Sequence, residues 1–354
     1  MVDSRSSITL VGDFYFGEGA ELEEAVDIAD LLLRKSLTVV NFEGAMASSL
    51  SRKKAVNLPM AEDVMDFLPN TVLSLANNHV LDFEQDGLGR TLHNINKAGI
   101  DWFGLESRIG AADNYHIVEH NGVRLCLAGF GWRNEECVEA TANGSGVVNF
   151  TRKNIDQMLQ RLVTESYDFL IVYVHFGYEH EYYPLPLHVG LCRYLVDRGV
   201  DLVYGSHTHC IQPYEAYRGK YIFYGLGNFF FSPGRERYPK ESDRGVIVDL
   251  SLSKADSTIR IDQVMRIQYF RDKSTFELTK DDSYLRDDIL DAQNLDVYSK
   301  NYKRLRRRKR NPRPIMKFEQ TLMNEIKYYL WLAAVRVTGY LGVRQMVKKL
   351  FGWG

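Results

Sequence analysis

The sequence predicts an α/β protein built around a largely parallel sheet. Short apolar runs of strand length recur along the chain, and they do not alternate in polarity. Helix-length segments lie between several of them, and the runs end on Asp, Glu, Asn or His. Unalternating runs suit strands buried on both faces, and strand–helix alternation predicts βαβ units.

The strand-like runs are Ile8–Val11, Leu37–Val40, Thr71–Leu75, Phe169–Val174 and Asp201–Tyr204, each rich in β-branched or aromatic residues. Helices are expected over Gln85–Ala98, Thr151–Thr164 and Leu187–Arg198. A second group reads as hairpins. Tyr115–Glu119 and Val123–Ala128 flank His120-Asn121-Gly122, and Asn-Gly is a strong hairpin signal. Tyr214–Tyr217 and Tyr221–Tyr224 flank a second turn, and Gly245–Ser251 with Thr258–Tyr269 close the β-rich part. The first domain is therefore expected over residues 1–272.

Residues 273–314 turn polar and read as a linker or peripheral helices leading into a basic run, Lys303 to Arg310. Asn311-Pro312-Arg313-Pro314 stops any helix there. Residues 315–354 read as an amphipathic helical tail. Its Tyr328, Tyr329 and Trp331, with Lys and Arg on either side, suit a membrane surface, or else packing on the first domain or in a dimer. Its longest uncharged stretch is too short to span a bilayer.

Composition excludes several classes. With 45% hydrophobic and 25% charged residues, the 354-residue chain is ordinary globular material. A net charge of −2 creates no whole-protein field for nucleic acid. The 4 cysteines form no CxxC pair, which suggests neither a disulfide framework nor a thiolate zinc site. They fit a reducing compartment. The segment from Met1 to Ser7 is short and polar and reads as neither signal peptide nor anchor. A cytoplasmic protein, free or peripheral at the inner membrane face, is expected.

The chemistry lies at the strand ends. Ile8–Val11 runs into Gly12-Asp13, Leu37–Val40 into Asn41-Phe42-Glu43-Gly44, and Thr71–Leu75 into Ala76-Asn77-Asn78-His79. Phe169–Val174 ends at His175, and Asp201–Tyr204 at Gly205-Ser206-His207-Thr208-His209. Carboxyl ends of parallel strands line the ligand crevice of such sheets. These residues therefore converge on one edge. Carboxylate and amide oxygens mixed with imidazoles suit one or two divalent ions of manganese, iron or zinc. Glu43 has two oxygens and is placed to bridge a pair, with Asp13 on one side and Asn78 on the other. An extended His207-Thr208-His209 would point both imidazoles to one side. His93, His116, His120, His180 and His188 lie outside these motifs and read as structural or surface residues.

The same motifs resemble the calcineurin-like metallophosphatases, and more closely the CapA family associated with poly-γ-glutamate capsule synthesis. The resemblance continues through His175-Phe176-Gly177-Tyr178-Glu179 and Gly225-Leu226-Gly227-Asn228-Phe229, in the family's order, over roughly residues 8 to 250. It implies a four-layer α/β/β/α sandwich, here with a helical basic C-terminal tail. It implies that Asp13 and His209 hold one ion, that Asn78, His175 and His207 hold the other, and that Glu43 bridges them. His79 would be the catalytic imidazole and Asp82 its orienting carboxylate. Asn41, Glu179 and Asn228 would touch substrate or support the ligands.

The implied activity is phosphoester hydrolysis by a metal-activated water in capsule or surface-polymer production, of poly-γ-glutamate or polysaccharide. The substrate class is a phosphorylated or polyanionic small molecule or polymer. The alternative is a catalytically weak, metal-binding assembly factor of a membrane polymer-synthesis complex. One departure favours the alternative. Many metallophosphatases begin with Asp-x-His, and Tyr15 stands where that imidazole would be.

Overall fold

The computed structural model describes residues 5–20, 22–51, 54, 56–232, 240–270, 275–281, 284 and 295–309. Two mixed sheets face each other. The first is built from β1 (Arg5–Phe16), β2 (Thr38–Phe42), β3 (Thr71–Ser74) and β4 (Asp101–Phe103), which pair in parallel in that order. The second contains β5 (Tyr115–His120), β6 (Val123–Gly131), β7 (Phe169–His175) and β8 (Leu202–Ser206). To it belong also β9 (Tyr214–Tyr217) and β10 (Lys220–Phe223). Its order is β9-β10-β8-β7-β6-β5, with a parallel centre and a hairpin at each edge.

The chain then returns to the first sheet. β11 (Asn228–Ser232) lies parallel to the second half of β1, and β12 (Arg244–Ser253) antiparallel to its first half. β13 (Thr258–Phe270) and β14 (Thr275–Lys280) extend that edge. The sheet thus runs past residue 272, where the polar composition had led the domain to be ended. β14 alternates exposed and half-buried residues, so its sequence lacks the apolar run that marks a central strand.

Four helices cover the outer faces. The buried stripe of α1 (Leu22–Leu33) is Ala25, Ile28 and Leu32, and that of α2 (Glu84–Lys97) includes Leu88, Thr91 and Ile95. Both stripes repeat at helical spacing and pack on the first sheet. α3 (Arg152–Leu162) starts at Thr151, whose side chain accepts from the Asn154 N–H at 3.3 Å. α4 (Pro186–Asp197) starts with proline in its first turn, where no N–H is needed. These two cover the second sheet. Alternation along β6 shows the layering, because Leu125 and Leu127 face the inter-sheet core while Cys126 and Ala128 face the helices. The order is therefore helices, sheet, sheet, helices. The expected α/β/β/α sandwich is the one observed.

Residues 303–309 of the basic run lie on α5 (Leu295–Lys309). Tyr298 and Tyr302 of α5 are buried against the helical side of the second sheet. The chain divides into a compact unit, Met1–Arg306, which holds both sheets and α1 to α4, and a second unit, Arg307–Gly354, whose first residues are the last three of α5. The expected amphipathic tail and its membrane contact lie outside the described residues. Among the described residues, no helix is long and apolar enough to cross a membrane.

Candidate metal centre

Strand register places the first polar residues. Asp13 pairs with Asn41 of β2 on one side and Asn228 of β11 on the other. Both strands therefore continue through the motif residues instead of stopping before them. Gly12 makes this crowding possible. A Cβ at that position would sit 1.8 Å from the Gly227 carbonyl oxygen, which also accepts from the Asp13 N–H at 3.0 Å.

Around Asp13 the side chains form one connected set. Asn41 donates to Asp13 Oδ1 at 2.8 Å and to Glu43 Oε2 at 3.2 Å, so one amide holds both carboxylates. Asn77 donates to Asn41 Oδ1 and to the Phe42 carbonyl, and accepts from the His79 N–H at 3.0 Å. His209 Nδ1 lies 2.9 Å from Asn228 Oδ1 and 3.4 Å from Asp13 Oδ2, and His209 Nε2 is 3.7 Å from Glu43 Oε1.

A second set meets the first at Glu43. His175 Nε2 lies 2.9 Å from Asn78 Oδ1, while its Nδ1 is 2.8 Å from the Tyr173 hydroxyl. Tyr173 is two residues earlier on β7, hence on the same face of the strand. It fixes the imidazole from behind. Two groups of donor atoms result, each within 4.8 Å: Asp13, Glu43 and His209, and Glu43, His175 and His207. All five residues are buried, and Glu43 belongs to both groups.

His207 and His209 reach separate groups by a route other than an extended segment. β8 ends at Ser206, and both histidines have left-handed backbone, with φ of +94° and +52°. Such conformations disfavour side chains with a Cβ and are held where the surroundings impose them.

Electrostatics fit this centre to a cation. Burial and the Asp13 charge push the Glu43 carboxyl well above the usual range. Burial pushes Asp13 the same way, but its hydrogen bond to His209 and that residue's charge hold it below the usual range. Burial pulls His209 down, but Glu43 and Asp13 outweigh it and push the imidazole up to about 10. His175 is held well below the usual value, first by burial and then by the His207 charge, so it is a neutral imidazole. Glu43 Oε1 and His207 Nδ1 are buried without a hydrogen-bond partner. In the metal-free centre a proton on His209 offsets these buried carboxyl groups, and a divalent ion bound by the carboxylates and imidazoles would displace it. Asp13, Glu43, Asn78, His175, His207 and His209 would hold that ion or a pair.

His79 stands beside this set. Its Nε2 is 4.0 Å from Glu43 Oε1 and its Nδ1 is 2.7 Å from Asp82 Oδ2. Asp82 is itself fixed by Lys54 Nζ at 2.6 Å and the Leu58 N–H at 2.8 Å. Lys54 also donates to the Asn78 carbonyl at 2.7 Å. Burial and the Lys54 charge lower the His79 pKa, against the opposing pull of Asp82. Glu179 is half exposed and lies 4.0 Å from His180, and its charge reaches Glu43, His79, His207 and His209. Asn228 is pinned by donation to the Ser242 carbonyl.

Tyr15 is buried against Phe231, whose ring also meets His209 edge-on at 5.0 Å. An aromatic wall thus lies beside the Asp13 group. That group has three donor residues, whereas the other has Glu43, His175 and His207 with Asn78 adjacent.

Sequence reasoning missed Lys54, Glu135, Tyr173 and Asn77 as contributors. Only two carried a signal. Asn77 lies within Ala76-Asn77-Asn78-His79, and Tyr173 precedes His175 at the strand spacing of two.

Residues 7–233 match the family model described as bacterial capsule synthesis protein PGA_cap. The chain belongs to the PGA_cap family. Among the relatives of this PGA_cap member is the capsule biosynthesis protein CapA of Bacillus anthracis, 31% identical over 173 residues, or 47% of this chain and 41% of that protein. The PGA biosynthesis protein CapA of Bacillus subtilis is 29% identical over 252 residues, 66% of each chain. This PGA_cap chain thus spans less than two thirds of the length of these curated relatives. Solved structures with a similar fold include the NAD nucleotidase of Haemophilus influenzae, with TM-score 0.45 and 12% identity over 86% of this chain and 60% of that one. A 5′-nucleotidase precursor of Thermus thermophilus matches with TM-score 0.46 and 12% identity, over 78% of this chain and 54% of that one.

Proposed function

We propose that this PGA_cap member is a metal-dependent hydrolase of phosphoesters, acting in the production of a capsule or surface polymer. The polymer role is what the names of the two Bacillus relatives suggest. The substrate class would be a phosphorylated or polyanionic molecule or polymer, and the ions manganese, iron or zinc.

The observation that carries the reading is the placement of His79. It is buried beside the donor groups but outside both, with Nε2 toward Glu43 and Nδ1 on Asp82. A divalent ion bound at the centre supplies Lewis-acid polarisation of a phosphoryl oxygen and acidifies water. This chain's own residues do the rest. Asp82 accepts from Nδ1–H, so the proton His79 exchanges is on Nε2. An imidazole so held can protonate a leaving oxygen, a contribution of about 10²–10⁴-fold. Lys54, Leu58 N–H and Asn77 keep it from turning away. Glu179, half exposed and electrically coupled to the site, suits substrate contact.

The test is turnover of phosphomonoesters and phosphodiesters by the protein loaded with Mn²⁺, Fe²⁺ or Zn²⁺, against His79→Ala. Hydrolysis that disappears in the variant, with metal content unchanged, supports the reading. Hydrolysis equal in both sinks it.

A second reading, an assembly factor with weak or no catalysis, is favoured by the aromatic wall at Tyr15 and Phe231 beside the three-donor group. Capsule production that persists in cells carrying His79→Ala would select it.

A further inference from the structure

The turn after β6 brings in a carboxylate that no motif marked. Gly131 ends that strand, the Trp132 N–H donates to the His175 carbonyl at 2.9 Å, and a short helical turn, Arg133–Glu135, follows. Glu136 closes the turn in left-handed backbone, and the Arg133 N–H is anchored on Asn149 Oδ1 at 3.1 Å. The turn is thus tied to the strand that carries His175. It projects Glu135 so that Oε2 lies 3.3 Å from His207 Nε2, with the Glu135 side chain only 19% exposed.

The two nitrogens of His207 therefore have different fates. Nε2 is taken by Glu135, whereas Nδ1 is buried and has no partner. A carboxylate beside one ring nitrogen fixes the proton there and leaves the lone pair on the other. Left without a ligand, that lone pair would be a buried polar atom with an uncompensated desolvation cost.

We propose that Glu135 is a positioning residue for the centre. It holds His207 in the Nε2–H form and thereby presents Nδ1 as the donor to a divalent cation shared with Glu43 and His175. The inference rests on the metal reading above. It also explains how a histidine with left-handed backbone keeps one ring orientation, since the carboxylate grips the far side of the ring. Second-sphere carboxylates of this kind commonly change metal affinity by about 10- to 100-fold.

The experiment uses the full chain and its Glu135→Ala and Glu135→Gln variants, in two measurements. Imidazole ¹⁵N spectra of the metal-free proteins read the His207 tautomer. The Nε2–H form is expected in the unmodified protein and in Glu135→Gln, whose amide oxygen still accepts. A mixture with the Nδ1–H form is expected in Glu135→Ala. Calorimetric titration with Mn²⁺ and with Zn²⁺ then reads affinity. A loss of about 10- to 100-fold is expected in Glu135→Ala at one binding step, and a smaller loss in Glu135→Gln. An unchanged tautomer, or affinity equal to the unmodified protein in Glu135→Ala, overturns the role of Glu135 while leaving the centre standing. No binding of either metal by the unmodified protein overturns both.

Discussion

Lys54 Nζ and Asp82 Oδ1 meet at 2.6 Å in a pair that is almost wholly buried, with side chains 4% and 0% exposed. The contact ties a loop that lies outside every motif to the carboxylate that orients His79. Removing one member of a buried ion pair leaves the other charge unpaired and costs about 3 kcal/mol. Lys54→Met should lower stability to urea by about that amount and also lower turnover through a less constrained His79. Asp82→Asn should lower turnover about 10- to 100-fold with normal metal content. Chemical denaturation and metal analysis of the same preparations separate the two effects.

A second buried pair, made by residues outside both donor groups, serves as a contrast. Arg193 binds Glu215 through Nη2 at 2.6 Å and Nε at 2.9 Å, and the Tyr224 hydroxyl donates to the same carboxylate at 2.7 Å. Glu215→Ala should destabilise by about 3–5 kcal/mol, because the buried guanidinium loses the carboxylate that balances its charge. Metal affinity should not move. A variant as stable as the parent would show that Arg193 finds water instead.

Gly12→Ala tests the close crossing of β1 over Gly227. The added methyl has no room beside a backbone carbonyl. A cost of about 3 kcal/mol is expected, the upper end for overpacking, together with weaker metal binding as Asp13 shifts. Thermal melting and calorimetric titration read both.

Acid sensitivity should trace in part to His188. It is fully buried between Trp132 and Phe176, both ring nitrogens lack partners, and burial holds its pKa down at about 3. The unfolded chain takes up that proton near pH 6.5. Between about 6.5 and 3 the unfolded state therefore binds more protons, and stability falls as pH falls, by at most about 1.4 kcal/mol per unit. His188→Leu should flatten the acid side of a stability–pH curve measured by urea titration. An unchanged slope would assign the effect to other groups.

Removing metal should lower the melting temperature, because an ion that binds only the folded chain stabilises it by about 2.7 kcal/mol at a hundredfold excess over its Kd. The group with Asn78 beside it should retain its ion at chelator concentrations that empty the Asp13 group. Metal analysis after graded dialysis against EDTA distinguishes this from equal release.

Legibility followed periodicity and residue type. The buried parallel strands were readable because both of their faces are covered, and their terminal Asp, Asn and His residues followed from the same reading. The two-sheet division was not readable from runs alone, and it entered through family resemblance. β14 was missed because an edge strand needs only one apolar face, and its composition matches a polar linker. Lys54 and Glu135 were missed for a different reason. Lys54 reaches the site from a loop and Glu135 from a three-residue helical turn, both too short for a period to constrain position, and lysine or glutamate there is ordinarily solvated. The left-handed backbone at His207 and His209 could not be inferred, since only a small minority of non-glycine residues adopt it, histidines included.

Glu43 alone belongs to both donor groups. Two ions bound there would draw on one carboxylate, so their occupancies are not independent. Charge that the first withdraws is no longer available to the second, and the factor by which either weakens or strengthens the other is the same in both directions. A Glu43→Gln chain should therefore lose that reciprocity along with affinity, turning a coupled two-step isotherm into separate, weaker events.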